Sequence, residues 1–360
     1  MTVARQRLLL LAAVAALGAV IIARPTFIAP SEVALLPFHR SELDFYVLDD
    51  VAGHLHKPDV VRRSPWPEHP RGEVVARTNN LGLREDQPTT TAKPAGAVRI
   101  LVVGDSHVDG VVDNHESFPN LLERSLTAAD AGRGRRYEVL NGGTGHYGFH
   151  NYRGFLQRFR SLEPDVYVVV IYTGNDYLGA VRHLVAEGEL ELPPRPDGYL
   201  ETMQAAEERF RAGPVAQVLN QSFFFHGYPA VKEVALAEAR RELGAIQSLC
   251  SDDGVRLIVV GLPTKLDVDP PATAPVGAIL ESLGIDEAEL FVHRELTATL
   301  ARWMAAAGIE FLDLRPEFAA TAEELYWRED YHLGLAGHAR LAAVFEDRFG
   351  DSLRRPPAPP

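Results

Sequence analysis

The sequence predicts an α/β fold: a three-layer α/β/α sandwich on a five-stranded parallel sheet, with a helical insertion after the third strand. Three observations lead there. Short β-branched runs recur at residues 98–103, 137–140, 166–172, 255–260 and 309–314, apolar without the alternation of a half-exposed strand. Such runs suit strands buried on both faces. Helical spacings separate them at 118–128, 152–159, 234–250, 290–307 and 335–349, giving the strand–helix alternation of parallel crossovers. Finally, residues 184–230 lengthen the third crossover well beyond its minimum, which predicts an inserted helical cap.

The remaining segments are assigned in chain order. Arg5 and Arg7 precede an uncharged stretch, 8–23, closed by Arg24 and Pro25. At about 1.5 Å per residue the stretch spans roughly 24 Å of helix, between a signal-peptide core and a full membrane span. It lacks a small-x-small cleavage site, so residues 1–25 are expected to form an uncleaved membrane anchor, with a cleaved signal as the alternative. Either way the basic end stays cytoplasmic and the rest is exported. Residues 26–97, rich in Pro and Arg, are expected to form a loosely structured, extended lead-in with a few short strands and turns at 65–67 and 89–94. The main domain is expected over 98–350 and a disordered tail over 351–360.

Composition excludes several classes. A net charge of -13 with no Lys/Arg cluster argues against nucleic acid. The single cysteine, Cys250, rules out an intramolecular disulfide and a cysteine zinc site; it ends an apolar helical run and reads as buried filler.

In open parallel sheets ligands bind beyond the strands' carboxyl ends, so the residues just after each strand are the candidates for chemistry. After the first strand comes Gly104-Asp105-Ser106-His107, presenting Ser106 at a helix start, as a nucleophile or as a mere cap. After the second comes Asn141 to Gly148. Its Gly143-x-Gly145-x-x-Gly148 matches a dinucleotide fingerprint, but it follows the wrong strand and no acid closes the next one to hold a ribose. Its exposed N–H groups can instead stabilise an oxyanion. After the third strand, Asn175 in Thr173-Gly174-Asn175-Asp176 offers a side-chain amide donor, or a simple Asn-Asp turn. Near the C-terminus, His332 has Asp330 two residues before it and Glu329 three before, either able to orient an imidazole base. His332 and His338 lack a third ligand at a recognisable spacing, so no metal is expected.

These blocks resemble the SGNH/GDSL hydrolase family. Gly104-Asp105-Ser106 is similar to its first block, Asn141–Gly148 to its second, Gly174-Asn175-Asp176 to its third, and Asp330-x-His332 with Gly337-His338 to its last. Thr78 to Arg84 and Leu262 to Lys265 also resemble segments of exported bacterial members. The resemblance spans roughly 98–350 and implies a flavodoxin-like sheet, a Ser106–His332–Asp330 triad, an oxyanion hole from the N–H groups of Ser106 and Gly145 with the Asn175 amide, and no cofactor. It departs from the family's usual Asp-x-x-His spacing, places His146 near the expected oxyanion glycine, and has Gly334 where Asn is frequent.

The implied activity is that of a serine esterase removing acyl groups, acetyl above all, from a small-molecule or polysaccharide substrate outside the cytoplasm. The alternatives are an O-acetyltransferase with the same triad and a non-catalytic envelope or glycan-binding protein. Phe223–Phe225 and Tyr228 of the insertion could line an acyl pocket or simply glue the cap to the core.

Overall fold

The computed structural model describes residues 44–132, 135–269 and 275–354. The anchor expected at 1–25, the first part of the lead-in and residues 355–360 lie outside the described residues. Among the described residues no helix is long and apolar enough to cross a membrane.

Among the described residues nine strands form three sheets. In the lead-in, β1 (Tyr46–Asp49) pairs antiparallel with β2 (Gly53–His56), and β3 (Val61–Pro65) with β4 (Glu73–Arg77). The first hairpin is closed by Asp49, whose Oδ1 accepts the N–H groups of Val51 and Ala52, and by Gly53 at φ 81°. Only glycine adopts that backbone without strain. The lead-in is therefore more ordered than expected. Strands of four or five residues are too short for their periodicity to stand out in sequence.

The central sheet runs β6-β5-β7-β8-β9, all parallel, formed by β5 (Ala97–Gly104), β6 (Arg136–Asn141), β7 (Val166–Tyr172), β8 (Arg256–Leu262) and β9 (Glu310–Asp313). The inner strands β5, β7 and β8 bury both faces. Leu101, Val103, Val169, Ile171 and Val259 face one core, and Ile100, Val102, Val168, Val170 and Ile258 face the other. This explains the unbroken apolar runs, since a residue pointing either way is removed from water.

A short helix, α1 (Ser106–Asp109), follows β5 and leads to α2 (Phe118–Ala129). Next come α3 (Phe149–Phe159) and α4 (Asp176–Ala186). Helix α3 starts three residues before the expected 152 because Asn151 Oδ1 accepts the N–H of Gly148 and caps it there. The cap contains α5 (Tyr199–Phe210), a π-helical turn at Val215–Leu219 and α6 (Asn220–Gly227). Phe223, Phe224, Phe225 and Tyr228 are buried in the core shared with α3 and α4, so these aromatics glue the cap down. Then come α7 (Val231–Asp253), α8 (Val292–Ala307) and α9 (Leu335–Leu353). Cys250 is buried in α7, where burial pushes its thiol up to about 12. Residues 351–353, expected as disordered tail, complete the last turn of α9, whose Leu353 is buried.

Helices α2 and α9 cover one face of the sheet; α3, α4, α7 and α8 cover the other. The parallel register brings Gly104, Asn141, Tyr172 and Leu262 to one edge. The loops bearing Ser106, Gly145 and Asn175 leave from there.

Candidate active site

At the end of β5 the helix cap is Asp105: its Oδ1 accepts the N–H of His107 at 2.9 Å. The Ser106 hydroxyl is thus not consumed in capping. It lies 2.8 Å from Nε2 of His332, and the His332 Nδ1–H donates to Asp330 Oδ2 at 2.7 Å.

The Asp-x-His spacing has a specific backbone. Tyr331 adopts φ 65°, a left-handed conformation that costs a non-glycine residue roughly 1–2 kcal/mol. This tight turn lets Asp330 grip His332 twice, since Oδ1 also accepts its backbone N–H at 3.0 Å. Glu329 faces elsewhere and pairs with Arg211 of the cap. The loop is held from below by Lys265, which donates to the Tyr326 carbonyl at 3.3 Å and pairs with Asp269 at 2.8 Å. Tyr326 in turn donates its hydroxyl to the Pro263 carbonyl.

Burial alone would lower the basicity of His332. The charge and hydrogen bond of Asp330, with Asp105 and Asp109 behind, outweigh it and hold the pKa above imidazole's usual 6.5. Burial pushes the Asp105 carboxyl up to about 6 and, with the Asp105 charge, raises Asp176 well above the carboxylate range. The neighbouring imidazoles behave oppositely. Burial drives His107 far below its ordinary value, and burial with Arg84 brings His338 to about 3. His338 accepts the Phe118 N–H at 3.1 Å through Nδ1, which gives it a structural partner in α2 rather than a place beside His332.

Asn175 occupies the N-cap position of α4, yet its side chain makes no capping hydrogen bond. A residue type that ordinarily caps here leaves its amide uncommitted at the sheet edge. Gly145 lies in the loop after β6, with its carbonyl accepting from His54 Nε2 at 2.8 Å. A Cβ there would lie 2.7 Å from the Tyr46 hydroxyl, so a larger residue would have to push the lead-in aside. Within the same loop, a Cβ on Gly143 would meet the Asp109 N of α1 at 2.2 Å. Of the three glycines in the dinucleotide-like pattern, Gly143 is thus packed against α1 and Gly145 against the lead-in, while Gly148 has open space beside it and caps α3.

Several site-supporting residues were not singled out as functional from sequence. Asp109, at the end of α1, accepts from Tyr46 Oη at 3.2 Å, from His56 Nε2 at 3.3 Å and from Arg84 Nη1 at 2.5 Å. Burial would raise its pKa, but His56 and Arg84 hold the carboxyl well below the usual range. The lead-in thereby clamps both the Ser106 turn and the glycine loop. Arg84 had a signal, the segment 78–84, although nothing in it revealed a partner. Gln217, from the π-helical turn of the cap, lies 3.2 Å from His332 Nε2 and had none.

Among the described residues, one group of His, Asp and Glu side chains has metal-like proximity: His69, Asp113 and Glu116. It is already satisfied internally. His69 Nε2 donates to Glu116 at 3.2 Å, and Asp113 pairs with Arg71 at 2.5 Å.

No family model and no curated protein matches the chain. Solved structures do resemble it. An acetylxylan esterase from Geobacillus stearothermophilus shares 12% identity, covering 72% of this chain and 97% of that one, with a TM-score of 0.43. A GDSL-like lipase from Bacteroides thetaiotaomicron shares 12%, covering 71% and 88%, with a TM-score of 0.35. A two-domain esterase active on acetylated mannans shares 12%, covering 74% and 53%, with a TM-score of 0.40. At such identities and scores the likeness carries no argument, and the site stands on its own geometry.

Proposed function

We propose that this chain is a serine esterase of SGNH/GDSL type that removes short acyl groups, acetyl foremost, from hydroxyls of a carbohydrate-like substrate. The observation that carries the reading is the continuous hydrogen-bond chain Ser106 Oγ–His332 Nε2 at 2.8 Å and His332 Nδ1–Asp330 Oδ2 at 2.7 Å. A hydroxyl is a poor nucleophile until a positioned base takes its proton, and the base needs a partner that fixes its tautomer.

In the proposed mechanism His332 Nε2 removes the Ser106 proton as Oγ attacks the ester carbonyl. The tetrahedral oxyanion is met by the Ser106 and Gly145 N–H groups and the Asn175 amide. His332 then gives its proton to the leaving alkoxide, which departs as an alcohol and leaves an acyl-serine. Water, deprotonated by His332, attacks that ester. Collapse releases the carboxylic acid and returns the proton to Ser106.

The packing of Phe223, Phe224, Phe225 and Tyr228 into the core favours a short acyl group, because the cap's main aromatics are spent on burial. The uncharged stretch at 8–23 supports a domain anchored outside the cytoplasm.

The test is hydrolysis of p-nitrophenyl acetate and longer acyl esters by the full chain beside Ser106→Ala and His332→Ala. Hydrolysis that falls with chain length and is lost in both variants supports the proposal. An inactive wild type, or one matched by Ser106→Ala, overturns it.

A further inference from the structure

Gln217 is 6% exposed, and its carboxamide is threaded between two histidines. Its Oε1 lies 3.1 Å from His107 Nε2 and its Nε2 lies 3.2 Å from His332 Nε2. The orientation follows from a backbone group that has no choice. The Leu333 N–H donates to His107 Nδ1 at 3.2 Å, so the neutral ring carries its proton on Nε2 and must donate it. Gln217 Oε1 is the acceptor. The amide N–H therefore faces His332, whose Nδ1 proton is already given to Asp330. The lone pair on His332 Nε2 is left facing two donors, the Ser106 hydroxyl and the Gln217 amide.

The main chain of Gln217 is fixed as well. Its carbonyl accepts from the Tyr172 hydroxyl at 3.1 Å, and a Cβ on Gly174 would lie only 2.3 Å from that oxygen. Gly174 is thus needed for close approach of the cap as well as for the Asn175 loop. The turn bearing Gln217, Val215–Leu219, is π-helical, a rare deformation that recurs at functional sites.

We propose that Gln217 is a positioning residue for the base: a donor, delivered by the cap, that aligns the His332 ring and ties the cap to the triad. The catalytic consequence rests on the esterase reading; the hydrogen-bond chain does not. An amide N–H on a ring nitrogen stabilises the neutral imidazole. Once protonated, Nε2–H would oppose the amide N–H, and the carboxamide cannot turn over without abandoning His107. Gln217 therefore works against the carboxylates facing His332, which are Asp330 on its own loop and Asp105 and Asp109 around the nucleophile turn. The ring tilted against it, His107, and the more distant His338 are both driven neutral by burial.

The experiment is an imidazole titration of the full chain by nitrogen-edited NMR, with His332→Ala identifying the resonance, alongside the pH profile of kcat/KM. Gln217→Glu keeps an acceptor for His107 and turns the donor facing His332 into an acceptor. The expected result is a His332 pKa raised by about one unit or more, with the acid limb of kcat/KM moving equally. Gln217→Met, which removes the donor without adding charge, should raise it by roughly half a unit and serves if the Glu variant does not fold. A His332 titration unchanged from wild type in a folded variant overturns the proposal. Failure of the esterase reading shows separately, as a wild type without hydrolysis, because the NMR shift needs no turnover.

Discussion

Replacing Arg84 by Met tests the clamp that the lead-in places on the Ser106 turn. The Arg84 side chain is 1% exposed and pairs with Asp109 at 2.5 Å; it also donates to Asn114 Oδ1 at 3.1 Å and to the Val112 carbonyl at 3.0 Å. Methionine preserves most of the buried stem but removes the charge and all donors. Asp109 would then keep only His56 and Tyr46 around a buried carboxylate. Breaking one side of a buried ion pair costs about 3–5 kcal/mol, a large share of the roughly 5–15 kcal/mol that holds a folded domain. At about 2.1 cal/mol/K of unfolding entropy per residue, that corresponds in a chain of this size to a Tm lower by roughly 4–8 °C. The loss should also depend on pH. Since the folded-state pKa of Asp109 is depressed, its stabilisation is present above the unfolded value of 3.8 and fades as pH falls towards the folded one. The gap between wild type and variant should therefore be widest near neutrality and narrow below about pH 4. Urea and thermal unfolding at several pH values measure both quantities, and adding Asp109→Asn should recover most of the loss. A loss under about 1 kcal/mol at neutral pH, or a gap indifferent to pH, would refute the reasoning.

Other consequences follow from the same geometry. Asp330→Asn should lower kcat by about 10³-fold or more with little change in KM, whereas Glu329→Gln, at a side chain paired with Arg211, should leave both near wild type in ester-hydrolysis kinetics. Asn175→Ala should cost about 10²–10³ in kcat while the melting temperature stays close to wild type, because the amide makes no capping bond to lose. The base must be neutral to act, and its pKa lies above 6.5, so kcat/KM should fall as pH drops through a midpoint above that value; a midpoint well below it would contradict the Asp330–His332 electrostatics.

The legible and illegible parts of the molecule divide along physical lines. The five parallel strands were readable because burial on both faces demands uninterrupted apolar runs such as 166–172, and the polar residues beyond their ends marked Ser106, Asn175 and His332 as candidates. Choosing between Asp330 and Glu329 needed the backbone, since the left-handed Tyr331 decides which carboxylate turns under the ring. The hairpins of the lead-in were obscured by their brevity, and their partners, Asp109 and the glycine loop, are distant in sequence. Gln217 was invisible for a stronger reason. Its place depends on a π-helical turn within the insertion and on a glycine more than forty residues earlier that leaves room for it, and neither has a periodic signature.

The most direct test of the site is covalent capture with a fluorophosphonate, which reports an activated serine whatever the natural substrate. Full-length protein would be treated, digested and mapped by mass spectrometry, beside Ser106→Ala and His332→Ala. The expected result is a single adduct on Ser106, absent from Ser106→Ala and formed roughly 10²–10⁴-fold more slowly in His332→Ala. No adduct, an adduct on another residue, or unchanged labelling of His332→Ala would contradict the claim that Ser106 and His332 act as nucleophile and base.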